Sequence, residues 1–374
     1  MMSKIPQTAR RMTRPVKIGS VTIGAGSAVV VQGMTKVPTS LPEQCIAQIN
    51  RMIDKGCQMV RLAVPTAQDT AALPEIIRQI NIPIIADVHF HYQRALEAID
   101  AGVNKIRLNP GNIDNRQQVE EVIAACKANG VAIRIGVNEG SIRQRRRGQI
   151  IPPVKNQDLV SLMLEKMTEY VRIFQDNNFD TLVLSAKCHD AHHTIMVNRA
   201  LSQTFDYSLH LGVTHAGDIQ TGSIRSAAAL GALLAEGIGD TIRVSLAGDP
   251  ATEIEIAGEI LTSLALRPRL GVELIACPTC GRTEIDLLSI VEKVKIALAD
   301  IRQPIRVAVM GCVVNGPGEA DDADVALCGG RDKVVIYRRG RRVATVAADN
   351  ALACLKEQVQ LFIEEQQNSP SPRP

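Results

Sequence analysis

Between residue 28 and about residue 265, short runs of β-branched and other apolar residues alternate with longer stretches in which apolar positions recur every three or four residues. That alternation predicts parallel strands joined by helical crossovers. The strand candidates are Ala28 to Gln32, Met59 to Ala63, Pro83 to Val88, Lys105 to Leu108, Ala132 to Val137, Thr181 to Ser185, Leu209 to Thr214 and Thr241 to Leu246. Eight strand–helix pairs predict an α/β fold built on a closed (β/α)8 barrel of the TIM type. An open doubly wound sheet uses the same units, but no Gly-x-Gly-x-x-Gly fingerprint follows the first strand.

The helices carry their own punctuation. Ser40 and Glu43 have capping-box spacing, Ile46, Ile49 and Ile53 follow as an apolar stripe, and Gly56 stands where a C-terminal cap is expected. Val119, Val122, Ile123 and Cys126 repeat the pattern before Gly130, and Asp249-Pro250 opens the last barrel helix. Arg267, Pro268 and Arg269 then interrupt the periodicity. This divides the chain into a barrel over residues 1–265 and a small α/β domain over 270–366, with 367–374 as a disordered tail. The small domain reads strand (Val272 to Ala276), helix (Thr283 to Ala299), three strands (Ile305 to Met310, Lys333 to Tyr337, Arg342 to Val346) and helix (Asn350 to Glu364).

Charge narrows the function classes. Among 374 residues, 42 Lys and Arg stand against 39 Asp and Glu, which argues against bulk electrostatic capture of nucleic acid and makes the placement of basic residues decisive. Aromatic residues are 2% and Trp is absent, so platforms for stacking bases are scarce. The N-terminal stretch with Lys4, Arg10, Arg11 and Arg14 holds no apolar run long enough for a signal peptide or a membrane span. Nine scattered cysteines do not resemble a secreted disulfide scaffold. The expectation is a cytoplasmic protein with reduced thiols, in which Cys45, Cys57, Cys126 and Cys354 are inert packing residues.

Other cysteines carry chemistry. Cys277-Pro278-Thr279-Cys280 follows one small-domain strand, and Gly311-Cys312-Val313-Val314-Asn315-Gly316-Pro317-Gly318-Glu319 follows another. Soft thiolates leaving strand ends suit an iron–sulfur cluster or zinc, and the glycines let backbone amides approach sulfur. Three cysteines fall one short of a full set. Either Cys328 completes four thiolates, or an oxygen ligand such as Glu319 takes the fourth corner and can yield it to a substrate. A structural zinc site and a redox Cys-x-x-Cys pair are the competing readings.

The barrel supplies a second site. Its active site is expected at the C-terminal strand ends, which carry Arg61, Asp87 with His89, Arg107 with Asn109, Arg134 with Asn138, Ser185 with Lys187, Thr214 with His215, and Arg243 with Ser245. Four arginines and a lysine converging on one cavity require an anionic ligand, for which a diphosphate is the natural candidate. His189 and His193 have the one-turn spacing of metal ligands, but no acidic partner for them is evident in the sequence. The run Arg143, Arg145, Arg146 and Arg147 reads as a solvated loop, a phosphate lid or a patch for an acidic partner.

With these residues in hand, the chain resembles the bacterial 4-hydroxy-3-methylbut-2-enyl diphosphate synthase family over nearly its whole length. The motifs are VQGMT (Val31 to Thr35), ADVHF (Ala86 to Phe90), RLNPGN (Arg107 to Asn112), RIGVN (Arg134 to Asn138), EGIGDTIRVSL (Glu236 to Leu246), ACPTCGR (Ala276 to Arg282) and GCVVNGPGEA (Gly311 to Ala320). The resemblance implies the short, two-domain form and the reductive ring opening of 2-C-methyl-D-erythritol 2,4-cyclodiphosphate to an allylic diphosphate, in the non-mevalonate isoprenoid pathway. It implies a [4Fe-4S] cluster on Cys277, Cys280, Cys312 and Glu319, with Cys328 outside the site. Arg107, Arg134, Lys187 and Arg243, with Asn138, Thr214 and Ser245, would hold the diphosphate, and Asn315 would lie near the substrate on the cluster side. It also implies a homodimer in which the small domain of one chain caps the barrel of the other, fed single electrons by a flavodoxin or ferredoxin.

One position departs from the pattern. Where the family usually has a glutamate after Gly-Val-Thr, thought to assist proton transfer, this sequence has His215. An imidazole can still donate a proton, so activity is expected with an altered pH profile. The alternative function is a non-redox barrel enzyme acting on a phosphorylated or pterin-like compound, its cysteines holding structural zinc.

Overall fold

In the computed structural model, which describes residues 9–89, 91–109, 115–142, 156–314 and 316–368, the chain opens with an antiparallel hairpin, β1 (Val16–Ile18) and β2 (Val21–Ile23). Three residues per strand are too few for an alternation to register in the sequence. Val16, Ile18 and Ile23 are fully buried against Val30, Met59, Ile85, Ala132 and Val183, which lie at or near the starts of five barrel strands. Each such burial contributes roughly 1.5–3 kcal/mol. The hairpin therefore plugs the N-terminal end of the barrel and leaves the opposite end for chemistry.

The elements that follow are β3 (Val30–Met34), α1 (Pro42–Asp54), β4 (Met59–Ala63), α2 (Ala67–Gln79), β5 (Ile84–Asp87), α3 (Tyr92–Asp100), β6 (Lys105–Leu108), α4 (Arg116–Asn129), β7 (Ala132–Asn138), α5 (Glu139–Ile142), α6 (Asn156–Asp176), β8 (Leu182–Lys187), α7 (Ala191–Thr204), β9 (Ser208–Leu211), α8 (Ile219–Ala235), β10 (Thr241–Ile242) and α9 (Pro250–Ser263). β3 to β10 pair in parallel in chain order, and β10 closes on β3. The expected (β/α)8 barrel is thus the fold of this unit.

The last two strands are shorter than their apolar runs. Beyond β9, a Cβ on Gly212 would stand 2.6 Å from the Arg243 carbonyl oxygen and 2.9 Å from Lys187 Nζ. Beyond β10, the Leu246 N–H donates to Glu253 Oε1 at 2.8 Å instead of to a strand. The expected capping box at Ser40 does not form: Leu41 is the N-cap of α1, Pro42 holds the first turn, and the Ser40 N–H donates to Asp69 Oδ1 at 2.9 Å. The box sits instead at Thr66 and Asp69 on α2. Asp249 caps α9 by accepting from the Ala251 N–H.

The described residues fall into two units that divide between Arg267 and Pro268. The second contains β11 (Val272–Ala276), α10 (Leu287–Ala297), β12 (Ile305–Met310), α11 (Gly316–Glu319), β13 (Val325–Gly329), β14 (Lys333–Arg338), β15 (Arg341–Ala347) and α12 (Ala351–Asn368). Its five-stranded sheet runs β11-β12-β13-β14-β15, parallel across β11, β12 and β13 and antiparallel thereafter. β13 is the central strand, buried along its whole length, yet the sequence pattern does not predict it. It is short, follows the acidic run Asp321, Asp322, Asp324 and ends in the first glycine of the pair Gly329-Gly330, a setting that reads as a loop.

α10 begins at Leu287 under an Asp286 cap, later than expected, because residues 283–286 lace two loops together. α12 runs to Asn368, past the expected start of the tail, and 369–374 lie outside the described residues, as does the arginine run at 143–147. No helix among the described residues is long and apolar enough to cross a membrane.

Candidate active site

Parallel barrel strands deliver their last side chains to one rim. Here Arg61 comes from β4, Asp87 from β5, Arg107 from β6, Arg134 and Asn138 from β7, and Ser185 and Lys187 from β8; Thr214, Arg243 and Ser245 lie just beyond β9 and β10. All ten line one pocket, so the eight barrel residues singled out as substrate ligands in the sequence are brought together.

The charges in that pocket are unbalanced. Five cationic side chains share a lining whose carboxylate is Asp87, 3.5 Å from Arg61 Nε and 3.3 Å from Arg107 Nη1. Arg107 Nη1 also lies 2.9 Å from His89 Nε2. Burial acts to raise the Asp87 carboxyl, but Arg61, Arg107, His89 and Arg134 outweigh it and hold the group below its ordinary value. Burial pushes Arg61 down to about 10, with Arg243 and Arg107 adding to it and Asp87 opposing. Burial, then the neighbouring guanidiniums, hold Arg134 and Lys187 well below their ordinary values.

Hydrogen bonding tells the same story. Arg134 Nε and Nη1, Arg107 Nε and Arg243 Nε are buried with no hydrogen-bond partner among the described residues. A buried unsatisfied donor costs about 1–3 kcal/mol, and a phosphoryl oxygen relieves both that cost and the charge repulsion.

Three buried titratable residues that support the pocket were not singled out in the sequence. Lys105 on β6 is fully buried with Nζ 3.6 Å from Met59 Sδ. His210 on β9 is fully buried between Lys187 and Thr241. Glu253 on α9 is buried, 2.9 Å from Lys36 Nζ and 3.7 Å from Arg243 Nη2, and accepts the Leu246 N–H. The available signal for the first two was a basic or imidazole side chain inside a strand that is buried on both faces.

Of the remaining candidates, His215 follows Thr214 but does not line the pocket; it is exposed, with a left-handed φ of 52°. The histidines after β8 do have acidic partners, contrary to expectation: His189 Nδ1 lies 2.5 Å from Glu139 Oε2, and His193 Nδ1 lies 2.6 Å from Asp190 Oδ2. Glu139 was hidden from sequence by a separation of fifty residues. Asp190 is the N-cap of α7, so His189 precedes that helix and His193 lies on it.

In the small unit, β11 and β12 are adjacent and parallel, which sets Cys277-Pro278-Thr279-Cys280 and Gly311-Cys312 at the same edge of the sheet. The Gly311 N–H donates to Cys277 Sγ at 3.2 Å, and the Glu284 N–H donates to the Gly311 carbonyl at 2.8 Å. Cys280 is exposed, Cys277 half-buried and Cys312 buried; Thr279 between the first two adopts a φ of 46°.

Cys328 is different. It is fully buried in β13 among Ala308, Met310 and Ala326, and a Cβ on Gly316 would meet its Sγ at 3.1 Å. Cys45, Cys57 and Cys126 are buried as well, and burial first of all pushes their thiols up to about 11, 11 and 12, which keeps them uncharged and unreactive. Cys354 is only half-buried. Glu319 belongs to α11, where its backbone alone is described, and Asn315 lies outside the described residues.

Two stretches of the chain match one family, in order. Residues 13–258 match the GcpE TIM-barrel domain, and residues 273–361 match the GcpE protein C-terminal domain. The chain belongs to the GcpE family. Relatives include the 4-hydroxy-3-methylbut-2-en-1-yl diphosphate synthase (flavodoxin) of Geobacillus thermodenitrificans, 44% identical over 356 residues that make up 95% of this chain and 94% of the relative. The protein of the same name from Bacillus subtilis is 42% identical over 358 residues, 96% of this chain and 93% of the relative. The GcpE barrel match spans every pocket residue named above, and the C-terminal match spans Cys277, Cys280, Cys312 and Glu319. Among solved structures, dihydropteroate synthase from Stenotrophomonas maltophilia, with imidazole bound in its active site, is similar in fold: TM-score 0.50, 14% identity, 69% of this chain and 100% of that one. Likeness at that identity concerns the barrel architecture alone.

Proposed function

We propose that this chain is a 4-hydroxy-3-methylbut-2-en-1-yl diphosphate synthase, which reductively opens 2-C-methyl-D-erythritol 2,4-cyclodiphosphate to the allylic diphosphate of the non-mevalonate isoprenoid pathway. The observation that carries this reading is the convergence of Arg61, Arg107, Arg134, Lys187 and Arg243 on one pocket in a chain of this family. Two electrons and two protons balance the reaction, with one substrate oxygen leaving as water.

The barrel residues bind and orient. Arg107, Arg134 and Arg243 offer guanidinium N–H groups and Lys187 an ammonium to the phosphoryl oxygens, while Asn138, Thr214 and Ser245 add neutral donors. Asp87, fixed between Arg61 and Arg107, keeps those two guanidiniums from turning away. Because the cations are already buried and in place, little reorganisation accompanies binding. We assign His215, which follows the pocket residue Thr214, as the proton donor, and Asn315 as a polar contact to the substrate.

The donor set of the small unit fits a [4Fe-4S] cluster, with Cys277, Cys280 and Cys312 as ligands and Glu319 as the exchangeable fourth. Three thiols leave one sheet edge, and Cys277 Sγ already accepts a backbone N–H. Bound there, such a cluster supplies single electrons to the substrate. We read the working form as a cytoplasmic homodimer, reduced by a flavodoxin or ferredoxin. Metal and sulfide analysis of anaerobically purified protein tests this: about four irons and four sulfides per chain support it, whereas stoichiometric zinc without sulfide contradicts it.

A further inference from the structure

Lys187 reaches the pocket from the end of β8, and its ammonium has a second neighbour inside the barrel. Its Nζ lies 3.1 Å from Nε2 of His210, and Nδ1 of the same imidazole lies 2.8 Å from Oγ1 of Thr241. His210 and Thr241 are fully buried register partners on β9 and β10. Gly212 opens the route to them, since a Cβ there would stand 2.9 Å from Lys187 Nζ.

An ammonium group only donates, so the imidazole nitrogen facing it must present a lone pair. The ring proton is then on Nδ1, where Thr241 Oγ1 accepts it. One tautomer satisfies all three groups. The surroundings oppose a charged imidazole: Arg61 on β4, Lys105 and Arg107 on β6, Arg134 on β7 and Arg243 beyond β10 face the pair, against Asp87 on β5. Burial, then Lys187, Arg134, Lys105 and Arg61, hold His210 well below its usual value. Burial and the same guanidiniums work to strip the proton from Lys187.

Resting on the reading of Lys187 as a diphosphate ligand, we infer that neutral His210, oriented by Thr241, is the positioning residue that keeps Lys187 protonated and aimed into the pocket. The imidazole lone pair is the acceptor that favours the ammonium where burial and cationic neighbours disfavour it. Without it, Lys187 loses its proton at lower pH and the diphosphate loses one charged partner.

The test is the pH dependence of kcat/KM for reconstituted holoenzyme in three forms: wild type, His210→Leu and His210→Gln. Leucine removes the acceptor, so the basic limb should move to lower pH by about one unit and KM should rise about tenfold, with kcat little changed. Glutamine can accept from Lys187 and donate to Thr241, and should restore the wild-type limb. A wild-type limb in His210→Leu, or equal displacement in both variants, overturns the inference. Should His210→Leu not accumulate as folded holoenzyme, Thr241→Val takes its place: a limb moved to lower pH supports the inference, and an unmoved limb overturns it. If the wild type itself does not consume the cyclodiphosphate, the functional reading fails instead, and calorimetric binding of inorganic pyrophosphate against pH to the same proteins still decides the role of His210.

Discussion

The backbone N–H of Gly311 donates to Sγ of Cys277 at 3.2 Å, tying the loop after β12 to the loop after β11. The same two loops carry Cys280 and Cys312. Replacing Cys277, Cys280 or Cys312 by serine should abolish iron binding with the far-ultraviolet spectrum unchanged. Cys328→Ala should retain iron and lose about 1–2 kcal/mol, because it deletes a buried group packed on Gly316. Iron analysis and thermal melting read both effects; iron lost in Cys328→Ala and kept in Cys277→Ser would reverse the assignment.

Arg134 is fully buried with two donor atoms unpartnered among the described residues. Arg134→Met keeps the aliphatic stem and deletes the charge, so the anion-free protein should gain about 1–3 kcal/mol while affinity for the diphosphate falls. Inorganic pyrophosphate at a hundred times its Kd should stabilise the wild type by about 2.7 kcal/mol. Scanning calorimetry checks this, and equal stabilisation of both proteins would contradict it.

His210 gives the protein a pH-dependent stability. Its native value lies well below 6.5, so below that pH the unfolded chain takes up a proton that the native state refuses. The contribution is complete above about pH 6.5 and is lost as pH falls from there toward the depressed native value. In urea unfolding the wild type should therefore lose stability from this group as pH falls from about 7.5 to 5.5, a component missing from His210→Gln. Equal pH slopes in the two proteins would show that His210 is not the group involved.

His215 follows the pocket residue Thr214 and has a left-handed backbone, with its side chain exposed. If it donates the proton, His215→Ala should lower kcat at least about tenfold and flatten its pH profile, and His215→Glu should recover part of the rate with a shifted profile. Full turnover by the alanine variant at every pH would remove His215 from the mechanism.

How much of this was legible in the sequence depends on what each residue does. β4 and β6 were read to the residue from their place between periodic helical stretches, although Arg61, Lys105 and Arg107 interrupt their apolar positions. The pocket residues were legible because a strand end is recognisable and the barrel fixes its meaning. β1 and β2 are too short to show a period, and β13 is masked by the acidic run and glycines around it. The expected runs of β9 and β10 extend past their ladders because Gly212 packs closely against the Arg243 carbonyl and the Leu246 N–H is taken by Glu253. His210 and Glu253 escaped because their partners, Lys187 and Arg243, are set by barrel closure and not by sequence spacing.

The central claim is the reaction itself. Anaerobic reconstituted holoenzyme, incubated with 2-C-methyl-D-erythritol 2,4-cyclodiphosphate and reduced flavodoxin and followed by phosphorus NMR, measures it directly. The account predicts conversion to 4-hydroxy-3-methylbut-2-enyl diphosphate with two electrons consumed per molecule formed. Unchanged cyclodiphosphate in the presence of fully iron-loaded, reduced protein would contradict it.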